Sequence, residues 1–174
     1  MAFASVGDCE IILVSNNGRR IERLNKPHRA TGKSERRRIE AAGGFVVKGR
    51  AMGVLEPSRT LGDVDVKRMC PGAISAEPEV GIVDLKDILS HDEAGASLEA
   101  TVGGGLGGTV RQDMFAIMAT DGVFDVMDHY DAVTCVRNSL MSKKREKVAA
   151  EILCKKAADM GSKDDITAIV VRFR

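Results

Sequence analysis

Met114-Phe115-Ala116-Ile117-Met118-Ala119-Thr120-Asp121-Gly122-Val123-Phe124-Asp125 joins an apolar run to an acidic turn. Residues 114–120 read as a buried strand, because a short apolar run bounded by a turn signal suits that role. Asp121 stands where the strand ends. A second stretch has the reverse order: Gly161-Ser162-Lys163-Asp164-Asp165-Ile166-Thr167 leads into Ala168-Ile169-Val170-Val171. A carboxylate at a strand end is held rigidly and faces a cleft, which suits a hard divalent cation. Asp121 and Asp164 lie 43 residues apart. A helical hairpin between them would return the chain to a neighbouring strand and bring both strand ends together. Spacing alone leaves a plainer alternative open, since Asp-Gly and Ser-x-Asp are also common turn and cap sequences.

The intervening residues supply such a hairpin. Asp128 suits the cap of a helix running to about residue 141, with Ala132, Val133, Val136 and Leu140 on one face. A second helix is expected over about residues 144–160, striped by Val148, Ala149, Ile152, Leu153 and Ala157 and stopped by Gly161. Residues 167–173 read as the last strand, apolar on both faces. Toward the N-terminus, strands over residues 10–14 and 19–24 flank Asn16-Asn17-Gly18, a hairpin signal. A short basic helix over residues 34–42 stops at Gly43-Gly44, and residues 45–47 resume an extended pattern. Residues 52–63 read as irregular, interrupted by Pro57, and residues 73–83 as loop then strand. Around residues 86–112 the chain carries a glycine-rich insertion containing Gly103-Gly104-Gly105-Leu106-Gly107-Gly108. Strands and helices are partly segregated, which indicates an α+β fold.

Length and composition bound the function. At 174 residues the chain fits one domain with its own core, and 44% hydrophobic residues make it globular. With 26 basic and 25 acidic residues, the charge balance gives no reason to expect nucleic acid or a membrane surface as a partner. The absence of tryptophan and a single tyrosine leave little material for base stacking. Cys9, Cys70, Cys135 and Cys154 are scattered without a C-x-x-C pair and read as free thiols in a reducing compartment, cytoplasmic or nuclear. No run reaches the length of a membrane span.

Several other signals carry little. Residues 103–108 satisfy G-x-G-x-x-G trivially, through low complexity. Residues 44–50 have P-loop spacing but end in Arg50-Ala51 instead of Lys-[ST]. No cysteine has an arginine six residues later, which argues against a cysteine-dependent phosphatase loop. His28, His91 and His129 lack ligand spacing and read as surface or capping residues. The charged run from Lys33 to Arg38 reads as a solvated helix face.

Beyond these features, the chain from about Ala4 onward resembles the metal-dependent protein phosphatases of type 2C, the PPM family. Val6-Gly7-Asp8-Cys9 is similar to the family's G-D-S-R strand, and Arg38-Ile39 with Ala42-Gly43-Gly44 to its R-I-x-x-A-G-G helix end. Gly53-Val54-Leu55 and Ser58-Arg59-Thr60-Leu61-Gly62-Asp63 resemble G-x-L-A-V-S-R-A-L-G-D. Ala76-Glu77-Pro78-Glu79-Val80 follows as A-E-P-E-V. The two aspartate stretches complete the order, resembling D-G-L-W-D-V and G-S-x-D-N-I-T. The motifs occur in family order across most of the chain, so the signal is specific.

The resemblance implies a sandwich of two antiparallel sheets flanked by helices, with a binuclear Mn²⁺ or Mg²⁺ centre at one end. It implies metal-dependent hydrolysis of phosphoserine or phosphothreonine in protein substrates by a metal-activated water. Asp121 and Asp164 match metal ligands and would act in catalysis through the bound metal. Asp8 and Asp125 match positions that help hold an additional, looser metal; turn and helix-start roles are the other reading of both. The family's N-terminal acidic motif and its D-G-H-G motif do not occur in these residues. The expectation is therefore a single phosphatase domain over residues 1–174 with its N-terminal part missing. The alternative is a non-catalytic, phosphatase-like interaction module. Another chain completing the sandwich is the partner this implies. Smaller departures are Glu56-Pro57 for Ala-Val, which predicts a distorted strand, and Asp165 for the family's Asn.

Overall fold

The computed structural model describes residues 1–88, 114–142 and 144–173. These form two compact units. Of the described residues, the first contains 1, 11–24, 82–88, 114–142 and 144–173; the second contains 2–10 and 25–81.

The first unit holds a four-stranded sheet in the order β3-β2-β7-β8. Its strands are β2 (Glu10–Ser15), β3 (Arg20–Arg23), β7 (Met114–Ala119) and β8 (Ala168–Phe173). The β2/β3 hairpin is antiparallel, with Ser15 opposite Arg20. Its turn is a 3₁₀ turn over Asn16–Gly18, in which Asn16, Asn17 and Gly18 all take positive φ. Asn and Gly tolerate that region better than other residues, so the sequence signal has a direct backbone cause. β7 and β8 pair antiparallel from Met114↔Phe173 to Ala119↔Ala168.

Two helices cover this sheet's core. α4 (His129–Met141) is capped by Asp128, whose carboxylate accepts from the Asp131 amide at 2.7 Å. It buries Ala132, Val133, Val136 and Leu140, the expected stripe. α5 (Glu146–Asp159) buries Ala149, Leu153 and Ala157 at successive i+4 positions. Gly161 stops it at φ 93°, with its amide donating to the Ala158 carbonyl. Leu153, Phe115, Ile117 and Val136 lie together in one apolar cluster. Burying one such side chain contributes about 2 kcal/mol.

β8 differs from its sequence reading. Val170 is buried, but Ile169 and Val171 are 52% and 37% exposed, so only one face of the strand is covered among the described residues. Most of the glycine-rich insertion, and His91 with it, lies outside the described residues.

The second unit contains β1 (Ala2–Ser5) paired with β6 (Glu79–Ile82), and a hairpin of β4 (Val46–Val47) with β5 (Arg50–Ala51). The two-residue turn Lys48-Gly49 has φ 50° and 78°, the mirror-image turn that suits right-twisted strands. The P-loop spacing noted above is therefore hairpin. α1 (Lys33–Ala41) ends at Gly43, φ 84°. A short helix, α2 (Val64–Met69), was not apparent from the sequence. Residues 52–63 are irregular, as expected, with isolated bridges Arg29↔Pro57 and Ala51↔Leu55 in place of a strand.

No helix among the described residues is long and apolar enough to cross a membrane.

Candidate functional site

The two aspartate stretches meet at the end of the β7/β8 ladder. The register continues one pair past the strands: the Thr120 amide donates to the Thr167 carbonyl at 3.1 Å. The Thr167 amide donates back to the Thr120 hydroxyl at 3.1 Å. That hydroxyl itself donates to the Asp165 carbonyl at 2.9 Å. Asp121 follows Thr120 directly, and Asp164 lies three residues before Thr167. The helical hairpin thus brings the two stretches together, as the spacing suggested.

Asp121 is the first residue of α3 (Asp121–Phe124), and Asp125 is its C-cap. The Asp125 amide donates to the Asp121 carbonyl at 2.8 Å, so both residues fall on one helical face. Their carboxylate oxygens lie within 4.8 Å of one another. Asp164 is exposed, and its Oδ1 accepts from the Asp165 amide at 2.7 Å. Asp125 and Asp164 line the same open depression of about 350 Å³, together with Gly122, Ser162 and Lys163. Asp165, which stands where the family has Asn, contributes its backbone to the junction; its side chain is exposed.

Gly122 makes the approach possible. A Cβ there would lie 2.6 Å from the Asp165 carbonyl oxygen, well inside contact distance. Only a residue without a side chain lets the start of α3 come this close to the second stretch.

Asp8 is placed differently. It is half-buried in the second unit, in the bend after β1 where Gly7 takes φ 107°. Its candidacy rests on the resemblance alone.

The second unit holds a cluster that sequence reasoning read as solvated. Glu35 is only 5% exposed. Its Oε1 accepts from Arg59 Nη2 at 2.6 Å, and its Oε2 from Arg59 Nε at 3.1 Å. Oε2 also accepts from Arg38 Nη2 at 3.0 Å and from the Ser58 hydroxyl at 2.7 Å. Burial alone would raise the Glu35 carboxyl; the bonds from Arg59, Ser58 and Arg38 outweigh it and bring its pKa to about 2. His28 is 4% exposed, not a surface residue. Its Nδ1 accepts from the Gly7 amide at 3.3 Å, so its ring is neutral, with the proton on Nε2. Burial, and then the nearby Arg59 charge, lower its pKa. One signal could have flagged Glu35. It sits one turn before Ile39, the only large apolar residue of α1, on the same face.

The protein phosphatase 2C family profile matches residues 1–92 and 109–166. A curated relative, "Probable protein phosphatase 2C 43" of Arabidopsis thaliana, is 31% identical over 99% of this chain and 36% of its own length. A solved structure described as a C. elegans sex determining protein aligns with a TM-score of 0.72 and 27% identity, over 99% of this chain and 36% of that one. A crystal structure of a phosphatase from a pathogenic strain of Toxoplasma gondii aligns with a TM-score of 0.68 and 25% identity, over 97% of this chain and 46% of that one. The chain therefore spans between about a third and a half of the length of these proteins. Its antiparallel strand pairs and flanking helices are those of the phosphatase fold. The chain belongs to the protein phosphatase 2C family.

Proposed function

We propose that this chain supplies two metal-ligand loops of a protein-serine/threonine phosphatase, acting on phosphoserine and phosphothreonine in protein substrates. Asp121 and Asp164 are the ligands of Mn²⁺ or Mg²⁺, and Asp125 is a further, looser one. Asp8 is carried as a fourth candidate. On this reading residues 1–174 are one phosphatase-type domain with an insertion around residues 86–112. The observation that carries the proposal is the grouping of Asp121, Asp125 and Asp164 at one strand-end junction of the first unit.

The donors fit the ion. The residues lining the depression offer carboxylate oxygen and neither thiolate nor imidazole, which suits a hard divalent cation. A cation held there supplies Lewis acidity toward phosphoryl oxygens and acidifies a water for in-line attack. The chain's own residues orient that chemistry. The Asp165 amide fixes the Asp164 carboxylate, and the first turn of α3 fixes Asp121 relative to Asp125. Lys163 brings positive charge to the same rim, which favours an anionic substrate group. Family membership supports phosphatase function in general, and the family is metal-dependent in general. Four free cysteines support a reducing cytoplasmic or nuclear setting.

The test is Mn²⁺ titration with a phosphothreonine peptide as substrate, on the chain and on its Asp121→Ala and Asp164→Ala variants. Metal-dependent phosphate release that both substitutions abolish supports the reading. Release that is indifferent to them overturns the ligand assignment.

One observation favours a second reading, a non-catalytic interaction module completed by another chain. β8 stands at one end of the strand order with Ile169 and Val171 exposed, an apolar edge of the kind that accepts another strand. Under this reading both aspartate substitutions leave partner binding unchanged.

A further inference from the structure

Thr120 occupies the N-cap position of α3, with extended backbone at φ −70° and ψ 165°. A threonine there ordinarily turns its hydroxyl onto an amide of the first helical turn. Here the hydroxyl makes no cap bond. It donates to the Asp165 carbonyl at 2.9 Å and accepts from the Thr167 amide at 3.1 Å, across 45 and 47 residues of chain. One oxygen therefore carries two bonds to the segment between Asp164 and β8, while the Thr120 backbone leads into Asp121. Gly122 lies against the same Asp165 carbonyl, which a Cβ there would meet at 2.6 Å.

We infer that Thr120 is a positioning residue: its hydroxyl clamps the Asp121–Asp125 turn to the Asp164 loop and sets the spacing of the carboxylates. Thr120 need touch neither ion nor substrate to do this. It acts through the Asp165 carbonyl, whose own amide holds Asp164 Oδ1. A carboxylate on a free loop would wander relative to one on a helix start, and outer groups that fix ligands commonly alter metal affinity by about 10- to 100-fold. The inference rests on the proposed ligand role of Asp121 and Asp164 only for its effect on metal. The clamp itself is a property of the junction.

The experiment separates these two levels. Thr120→Val removes the hydroxyl at nearly constant shape, Thr120→Ser retains it, and Gly122→Ala pushes the two stretches apart with the hydroxyl intact. The first readout is amide exchange at Thr167 by NMR. Exchange should be slow in wild type and Thr120→Ser and about tenfold faster or more in Thr120→Val and Gly122→Ala. The second readout is Mn²⁺-induced broadening of the Asp121, Asp125 and Asp164 resonances. In wild type and Thr120→Ser all three should broaden together. In Thr120→Val they should broaden at separate concentrations, with affinity about tenfold weaker or more. Unchanged Thr167 exchange in a folded Thr120→Val protein overturns the clamp. Altered exchange with identical Mn²⁺ broadening overturns the positioning role. If wild type shows no Mn²⁺ broadening at any of the three, the metal reading fails, and the Thr167 exchange alone decides the clamp. Should Thr120→Val fail to fold, the same criteria apply to Gly122→Ala.

Discussion

In the second unit, Glu35 is 5% exposed and accepts hydrogen bonds from two arginines and a serine. In the first unit, Asp164 is exposed, and its Oδ1 accepts from the neighbouring Asp165 amide. Glu35 lies in the first turn of α1 and Asp164 in the loop before β8, and the two carboxylates serve opposite ends. Glu35 is held by protein donors on both oxygens, which ties α1 to the segment carrying Ser58 and Arg59. Asp164 stands beside Asp125 around an open depression, with oxygen donors facing solvent. A protein gains architecture from a carboxylate by enclosing it and gains chemistry by leaving it reachable.

The comparison predicts its largest stability effect at Glu35. Removing one partner of a buried ion pair strands the others, at about 3–5 kcal/mol. Glu35→Ala should lower the unfolding free energy measured by urea titration by that much; a cost below about 1 kcal/mol would show that the arginines find water instead. The same site sets a pH dependence. The folded pKa of Glu35, about 2, lies below its ordinary 4.5, and that of His28 lies below its ordinary 6.5. For both groups the unfolded chain binds more protons, so stability falls as pH falls. The His28 contribution is lost first, as pH drops below about 6.5, and the Glu35 contribution follows between about 4.5 and 2. His28→Gln keeps an acceptor for the Gly7 amide but cannot gain a proton. Its urea midpoint should therefore change less than that of wild type between pH 7.5 and 5.5. Parallel curves would remove His28 from the account.

Asp164 should behave in the reverse way. Asp164→Ala removes an exposed carboxylate, so its stability should stay within about 0.5 kcal/mol of wild type. Its Mn²⁺ affinity should fall by about 100-fold, measured by calorimetry or paramagnetic relaxation. A large loss of stability with no loss of affinity would place Asp164 with Glu35 as a structural group.

Those two sites also differ in how far they could be read from sequence. The elements around Asp121 and Asp164 were legible because their information is local: an apolar strand, an acidic turn, and two striped helices whose length returns the chain to the next strand; the ligand reading of the two aspartates came from the family resemblance. The turn at Asn16–Gly18 and the cap at Asp128 were legible for the same reason. Glu35 was not, because its partners Ser58 and Arg59 lie 23 and 24 residues away and six of the nine residues of its helix are charged. His28 was missed likewise, its burial depending on Gly7, 21 residues earlier. α2 escaped because six residues, with Val64 and Met69 left exposed, show no apolar stripe. The exposure of Ile169 and Val171 was hidden because Ile-Val-Val spells a fully covered strand, while coverage depends on what stands beside it. The Thr120 clamp was masked by its own plausibility, since threonine before Asp-Gly reads as an ordinary cap.

The smallest predicted effect is on the same helix as the largest. Glu40 lies five residues after Glu35 and pairs with Arg36 at 2.8 Å in i,i+4 geometry, closer than the Arg38–Glu35 contact of 3.0 Å. The Arg36–Glu40 distance falls between the 2.6 Å of Arg59–Glu35 and the 3.0 Å of Arg38–Glu35, so exposure is what separates the pairs. The Arg36 and Glu40 side chains are 57% and 47% exposed, against 7% for Glu35. In water each charge is already solvated, and ordering two long side chains cancels most of the attraction. Glu40→Ala should therefore change stability by no more than about 0.5 kcal/mol, and about 0.15 M salt should erase even that. Measured beside Glu35→Ala on the same helix, it isolates burial as the variable. A cost for Glu40→Ala approaching that of Glu35→Ala would mean that enclosure adds little to an ion pair at this distance. The contrast drawn with Asp164 would then lose its physical basis.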